Sequence, residues 1–335
     1  MDIVEFTPTK DQYAYTFGGV EPVMKVQPGT VLRLWSDDAF GGVLRSVDDL
    51  SSEKLVMPFV NPQTGPFYVE GAEPGDTLAL HFVAIEPARD FGASATIPFF
   101  GGMTSTDRVV TLQDPLPDTT WIYELDRERN IVTFAARHSD HRIDLPVAPM
   151  LGTVGVAPAG GEARSSLVPD RFGGNMDTPQ MRAGATVFLG VNVEGALFSI
   201  GDGHYRQGEG EGCGTAVEGA MTTTLIVELV KGGAPGWPRL EDDTHLMTVG
   251  SSRPMEDSWR IANAELIHWV AELLGLHPMD SYQLLTQVTE VPVANVVDAN
   301  YSIVVKVAKS LIPDADAFAG LHRDLRERAR SLGSV

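Results

Sequence analysis

A chain of 335 residues with 45 acidic and 25 basic side chains carries a formal charge of −20, and 43% of it is hydrophobic. That balance suits a large buried core and excludes nucleic acid and anionic membrane surfaces as partners, because like charge repels both. A single cysteine rules out an intramolecular disulfide, residues 1–6 lack the segments of a signal peptide, and no apolar run reaches bilayer length, so a soluble cytoplasmic protein is expected.

The first strand is expected at Val31–Trp35, after the turn Pro28-Gly29. Similar entries recur where Pro74-Gly75-Asp76 leads into Thr77–Val83, and where Ala183-Gly184-Ala185 leads into Thr186–Val191. A tight turn followed by a β-prone run is a strand entry. The 34 glycines and 22 prolines are scattered, as many short strands joined by turns require. The segment Ala157–Phe172 is the candidate boundary, which divides the chain into a mainly β-sandwich part, 1–160, and a β-rich part, 161–335. Thr222–Val230 reads as a further strand.

Helices are expected late. Trp259, Ala262, Leu266, Trp269, Val270, Leu273 and Leu274 recur at helical spacing, with Asp257 at the N-cap and Gly275 at the exit. A second helix starts at Asp280, Tyr301–Val307 returns to strand, and Asp316–Arg330 forms a last helix whose arginines lie near its C-terminal end, as the helix dipole favours. These helices are assigned to packing and subunit contact. The fold class is therefore mixed and β-rich (α+β): a sandwich-like unit, a second α/β portion and late helices.

The chemistry concentrates in Leu197–Glu218, where Asp202, His204, Glu209, Glu211, Cys213 and Glu218 stand among six glycines. In extended backbone Asp202 and His204 point to one side, forming half a shell for zinc or a similar divalent ion; the alternative is a turn aspartate beside a surface histidine. Two more acidic groups, Asp37-Asp38 and Gly173-Gly174-Asn175-Met176-Asp177, lie beside strands and would meet Asp202 at one rim, unless each merely caps its own turn. His81 reads as a core histidine bonded to a carbonyl, and His138 with His141 as an exposed polar turn flanked by arginines. Cys213 is either a nucleophile or an inert thiol; the surrounding glutamates disfavour its thiolate. The acids of Gly208–Gly212 exclude phosphate from that loop.

Together these residues carry a resemblance. G-G-N-M-D at 173–177, G-D-G-H-Y-R-Q-G-E-G-E-G-C-G-T-A-V-E at 201–218 and T-G-P-F-Y-V-E-G-A-E-P-G-D-T-L at 64–78 resemble the acetamidase/formamidase family. P-M-L-G-T-V-G-V-A-P at 149–158 and L-W-S-D-D-A-F-G-G at 34–42 are similar to further landmarks, and the matches run in family order over about residues 25–310. The resemblance implies hydrolysis of a small amide such as formamide or acetamide, a divalent metal (zinc, with calcium as the alternative) and a homo-oligomer. By position it implies Asp38, Asp177, Asp202 and His204 as metal ligands. Glu218, Asp202, Glu211 and Cys213 become catalytic candidates, and Asn175, Gly174 and Gly214 substrate contacts. The chain departs from the family pattern at Gly203, Tyr205-Arg206-Gln207 and Gly212, and Tyr205 and Arg206 are expected to change the size and charge of the site.

In the mechanism expected from this set, metal-activated water attacks the amide, Glu218 carries its proton to nitrogen, and glycine amides along 208–214 hold the oxyanion. The competing class is a non-catalytic sandwich whose acidic loop binds calcium or a sugar. A hydrolase of cyclic or aryl amides is the alternative within enzymes.

Overall fold

The protein is described by a computed structural model covering residues 3–103 and 114–333. Two large sheets face each other. The first runs, in spatial order, Ile3–Phe6, Val31–Ser36, Met221–Val230, Thr77–Pro87, Thr186–Gly190, Arg239–Glu241, His245–Ser252, Tyr301–Ala308 and Val293–Asn295. The second runs Arg142–Pro146, Ile131–Ala135, Thr119–Asp126, Phe91–Thr96, Val217–Glu218, Phe198–Arg206, Met150–Gly155 and Gly173–Asn175, with Gln63–Val69 also pairing with Phe198–Arg206. Leu32, Leu34, Leu78 and Leu80 of the first sheet share one core with Leu151, Phe198, Ile200 and Tyr205 of the second. This is the expected sandwich.

The expected strands are all present, at Val31–Ser36, Thr77–Pro87, Thr186–Gly190, Met221–Val230 and Tyr301–Ala308. The division at residue 160 is not how the sheets divide. Val31–Ser36 pairs with Met221–Val230, and Thr77–Pro87 pairs with both Met221–Val230 and Thr186–Gly190, so strands from both halves interleave. Turn chemistry reveals where strands begin, but pairing across the whole chain decides their neighbours.

The helices cover one end of the first sheet. Met247, Val249 and Val304 face the sandwich core, while the alternate residues Leu246, Ile303, Val305 and Val307 face Leu266, Trp269 and Val270 of the helix Met255–Leu274. Side chains alternate across a strand, so burial on both faces produces the continuous apolar run of 303–305. At Gly250 a Cβ would lie 2.2 Å from the Ser258 carbonyl, so glycine lets the helix approach. The helix starts one turn earlier than expected, with Pro254 at the N-cap and Asp257 in the first turn, and Trp259 is 40% exposed rather than packed. Gly275 closes it in left-handed conformation. The second helix spans Pro278–Val288, capped by His277, and the last is Leu321–Ser331, preceded by a 3-10 turn at Ala317–Gly320. No helix among the described residues is long and apolar enough to cross a membrane.

Candidate active site

Tyr205 on the strand Phe198–Arg206 points into the sandwich core, so its neighbour His204 projects from the opposite face of the second sheet. A separate apolar cluster of Phe40, Leu44, Ala93 and Ala95 lies on that face. Asp202 takes φ 59°, a left-handed conformation within the strand, and both Asp202 and His204 are buried. Asp177 and Glu211 also sit at positive φ, 45° and 47°. Three of the acids thus adopt left-handed backbone, a strained choice for side-chain-bearing residues that clusters at functional sites.

Pairing across the sheet brings the rest of the group in. His204 lies opposite Glu218, and its Nε2 is 3.1 Å from Glu218 Oε2 and 3.3 Å from Asp202 Oδ1. Gly152 leaves room for two acids: a Cβ there would be 2.4 Å from both Asp177 Oδ1 and Asp202 Oδ2. Asp298 arrives from the loop after Val293–Asn295, the last strand of the first sheet, and its Oδ2 accepts from Asn175 Nδ2 at 2.9 Å and Asn295 Nδ2 at 3.2 Å. Asp177, Asp202, Glu211, Glu218 and Asp298 are thus five buried carboxylates around one buried imidazole.

Gln207 sets the tautomer of that imidazole. Its Nε2 donates to the carbonyls of Asp177 at 2.7 Å and Ala294 at 3.1 Å, which turns Oε1 toward His204 Nδ1 at 2.9 Å. Nδ1 therefore carries a proton, which leaves Nε2 as the atom that faces the two carboxylates. Lone pairs facing each other in a buried space need a proton or a cation between them.

The protonation pattern follows. Burial alone would depress His204, but Glu218 and Asp202 hold it well above its ordinary range. Burial pushes Glu218 up to about 7 and Asp298 up to about 7. Burial and the neighbouring Glu211 push Asp177 well up, and burial does the same to Glu211. Burial acts to raise Asp202 too, yet His204, together with the bonds from Thr153 and Asp177, offsets it and keeps this carboxylate low.

The donors fit a divalent ion. Asp177, His204 and Glu211 form one group, and Asp202, His204 and Glu218 another, whose ligand atoms lie within 4.8 Å of one another. Asp177 Oδ1, His204 Nε2 and Glu218 Oε2 are buried without a hydrogen-bond partner. Orphaned buried donors of these types are what a metal would satisfy.

Other candidates stand apart from these groups. Asp38 accepts from the Phe40 and Gly42 amides and pairs with Arg89, so its carboxylate is spent on its own turn and a guanidinium rather than on a metal; burial and the adjacent Asp37 raise it to about 6. Cys213 is exposed and its Sγ lies 3.2 Å from the Thr215 carbonyl. The amides of Gly210, Glu211 and Gly214 already bond the carbonyls of Val293, Gly208 and Glu211, which removes them as oxyanion donors. Gly174 packs against the Val168 carbonyl and does not line the cavity, whereas Gly214 does. Asn175 lines the cavity, with its amide oxygen and nitrogen bonded to Asn61 and Asp298.

Tyr205 is buried, its hydroxyl bonded to the carbonyls of Arg89 and Ala220, and Arg206 bonds the Pro146 carbonyl. Neither changes the site, contrary to expectation; Gln207, the third residue of that triplet, does. His81 is a core histidine as expected, though Nδ1 meets the Thr186 hydroxyl rather than a carbonyl, and His138 and His141 are exposed. Asp298 and Gln207 were missed. The acid inside the apolar run Val296-Val297-Asp298 was the available signal for the first.

A cavity of about 440 Å³ opens onto the carboxylates, with Asp202, Glu211, Glu218 and Asp298 in its lining. The chain is similar to known proteins of one family. A family model described as acetamidase/formamidase matches residues 15–161 and 147–253. An acetamidase structure from Yersinia enterocolitica is 39% identical, with a TM-score of 0.87 over 93% of each chain. One from Bacillus halodurans is 26% identical, with a TM-score of 0.82 over 93% of this chain and 99% of that one. An acetamidase of Mycolicibacterium smegmatis is 28% identical over 62% of this chain and 63% of its own. The chain spans about three-fifths of the length of the curated relatives it matches. It belongs to the acetamidase/formamidase family.

Proposed function

We propose that this protein hydrolyses the C–N bond of a small linear amide, of the formamide and acetamide kind, to a carboxylate and ammonia at the Asp202–His204–Glu218 group. One observation carries the reading: His204 Nε2 faces Asp202 Oδ1 and Glu218 Oε2 in one buried group, and both of those acids line a cavity. The relatives named acetamidase support the same reaction class.

His204, with Asp177 and Glu211 or with Asp202 and Glu218, would hold the cation, and an imidazole among carboxylates suits zinc or a similar ion better than calcium. Such an ion supplies Lewis acidity to the carbonyl and makes water more acidic. The chain's own groups do the rest. Glu218, near neutrality, takes the proton of the attacking water and returns it to the leaving nitrogen. Asp202, kept ionised beside His204, holds the imidazole in place. Gln207 fixes which imidazole nitrogen faces the acids. A cytoplasmic setting and a homo-oligomer complete the reading, supported by the lone unpaired cysteine and by exposed Trp259, Met279 and Tyr282 on the helical end.

An ammonia-release assay with formamide and acetamide tests it. Turnover is expected, to be abolished by a chelator and restored by zinc. Calcium binding with no ammonia from any amide would replace the enzyme with a binding protein, and full turnover by metal-free protein would remove the cation.

A further inference from the structure

The cavity beside the carboxylates is lined by two unlike groups of residues. The acids and Asn175 are one; Phe40, Leu55, Met57, Val60, Ile97 and Phe100 supply much of the remainder, and Phe40, Leu55 and Ile97 belong to one apolar cluster. Formamide and acetamide have three and four heavy atoms, and neither has an apolar portion larger than a methyl group. A water takes about 30 Å³ of liquid, so either amide would leave most of the 440 Å³ to solvent held against apolar walls. Cavities of about 300–1,000 Å³ accommodate ligands several times larger. The segments that form the walls continue the same chemistry outward: Met57 is 66% exposed, Phe59 60% and Met103 86%.

The wall is built rather than incidental. Asp38 ties the turn that carries Ala39 and Phe40 by accepting from the Phe40 and Gly42 amides, and Arg89 anchors Asp38 in turn. Asp118 holds the start of the short helix Ser51–Lys54 through the Ser51 hydroxyl at 2.8 Å and the Ser52 amide at 2.8 Å, which places Ser51, Ser52 and Leu55 on the cavity. Thr215, beside Glu218 in the lining, is bonded to Ser94 and to both backbone groups of Ala95, fixing the strand that leads to Ile97 and Pro98. Three separate polar ties thus position apolar side chains around one space.

We propose that this space is an acyl-group compartment, and that the preferred substrates are primary amides of branched or aromatic carboxylic acids rather than formamide or acetamide. The inference rests on the amide-hydrolysis reading of the same site. The reaction balances without any co-reactant beyond water: a C–O bond forms to the carbonyl carbon, the C–N bond breaks, and water's protons end on the nitrogen as the carboxylate leaves. With the reacting carbonyl at the carboxylates, the acyl side chain is the part directed to Phe40, Leu55 and Ile97.

The test is kcat/KM for ammonia release by the full chain across formamide, acetamide, propionamide, isobutyramide, benzamide and phenylacetamide. Each methylene newly buried is expected to raise kcat/KM about fourfold, mainly through KM, so phenylacetamide should exceed acetamide by at least tenfold. Ile97→Asn and Leu55→Asn should each lower the phenylacetamide-to-acetamide ratio by about tenfold, with melting temperature checking the fold. Turnover that is highest with formamide or acetamide and falls along the series overturns the compartment while leaving the hydrolase. No ammonia from any amide overturns both. Rising turnover with an unchanged ratio in both variants assigns the preference elsewhere and also overturns it.

Discussion

Two groups of buried aspartates, one just past the strand Val31–Ser36 of the first sheet and one on and beside strands of the second, are handled in opposite ways. Asp37 and Asp38 are fully partnered: Arg89 bridges both, the Phe40 and Gly42 amides donate to Asp38, and Tyr13 donates to Asp37. Among the described residues, the carboxylates of Asp177 and Asp202, gathered with those of Glu211, Glu218 and Asp298, meet no arginine or lysine, and the imidazole of His204 is the basic group they share. A buried carboxylate matched by a guanidinium shapes the chain. A buried carboxylate left unmatched stores a demand that a proton, a cation or a substrate must answer.

The largest effect should come from undoing the matched pair. Arg89→Met leaves two acids buried without their countercharge and is expected to destabilise the fold by about 3–5 kcal/mol, read from urea melts at pH 7.5. A loss below about 1 kcal/mol would mean the two groups are less different than their contacts imply. Next, Gly152→Ala places a methyl group where Asp177 and Asp202 now meet. Misplacement of this kind is expected to lower kcat about a hundredfold with little change in melting temperature, and unchanged kinetics would detach those acids from the chemistry.

Gln207→Leu sharpens the comparison from the imidazole side. Without its acceptor His204 loses tautomer control, and zinc affinity, measured by calorimetry, should fall about 10- to 100-fold. Unaltered affinity would free His204 from Gln207. The smallest effect concerns a third buried group. Burial, with His322 alongside, pushes His81 down to about 3. Its folded pKa is below the unfolded value near 6.5, so only the unfolded chain gains a proton between those limits. Stability is full above pH 6.5 and is lost as pH falls toward 3, by about 1.4 kcal/mol per pH unit. His81→Gln should show that much less slope than wild type in melts between pH 6.5 and 5; equal slopes would refute it.

The contrast between the two acidic groups also explains what the sequence could and could not reveal. Asp38 and Asp202 both stand near glycine in the sequence, and the countercharge that separates them is not local. Arg89, which makes Asp38 structural, is 51 residues away. The cluster around Asp202 and His204 was legible because two-residue spacing and flanking glycines have direct geometric meaning. Its completion by Asp298 was not, since that acid arrives on the loop after the far strand of the other sheet. Tyr205 was misassigned and Gln207 missed because strand alternation turns Tyr205 into the core, whereas Gln207, just past the strand's end at Arg206, folds back onto His204. Strand starts were legible from turns, and the interleaving of both halves was not, because sheet order depends on pairings over more than a hundred residues.

Glu218→Gln tests the central claim most directly, with kcat for ammonia release and melting temperature measured on the same preparation. Removing one unmatched buried charge should lower kcat about 10²- to 10⁴-fold while leaving the melting temperature equal or higher. Turnover within a few-fold of wild type would contradict the assignment of chemistry to this group.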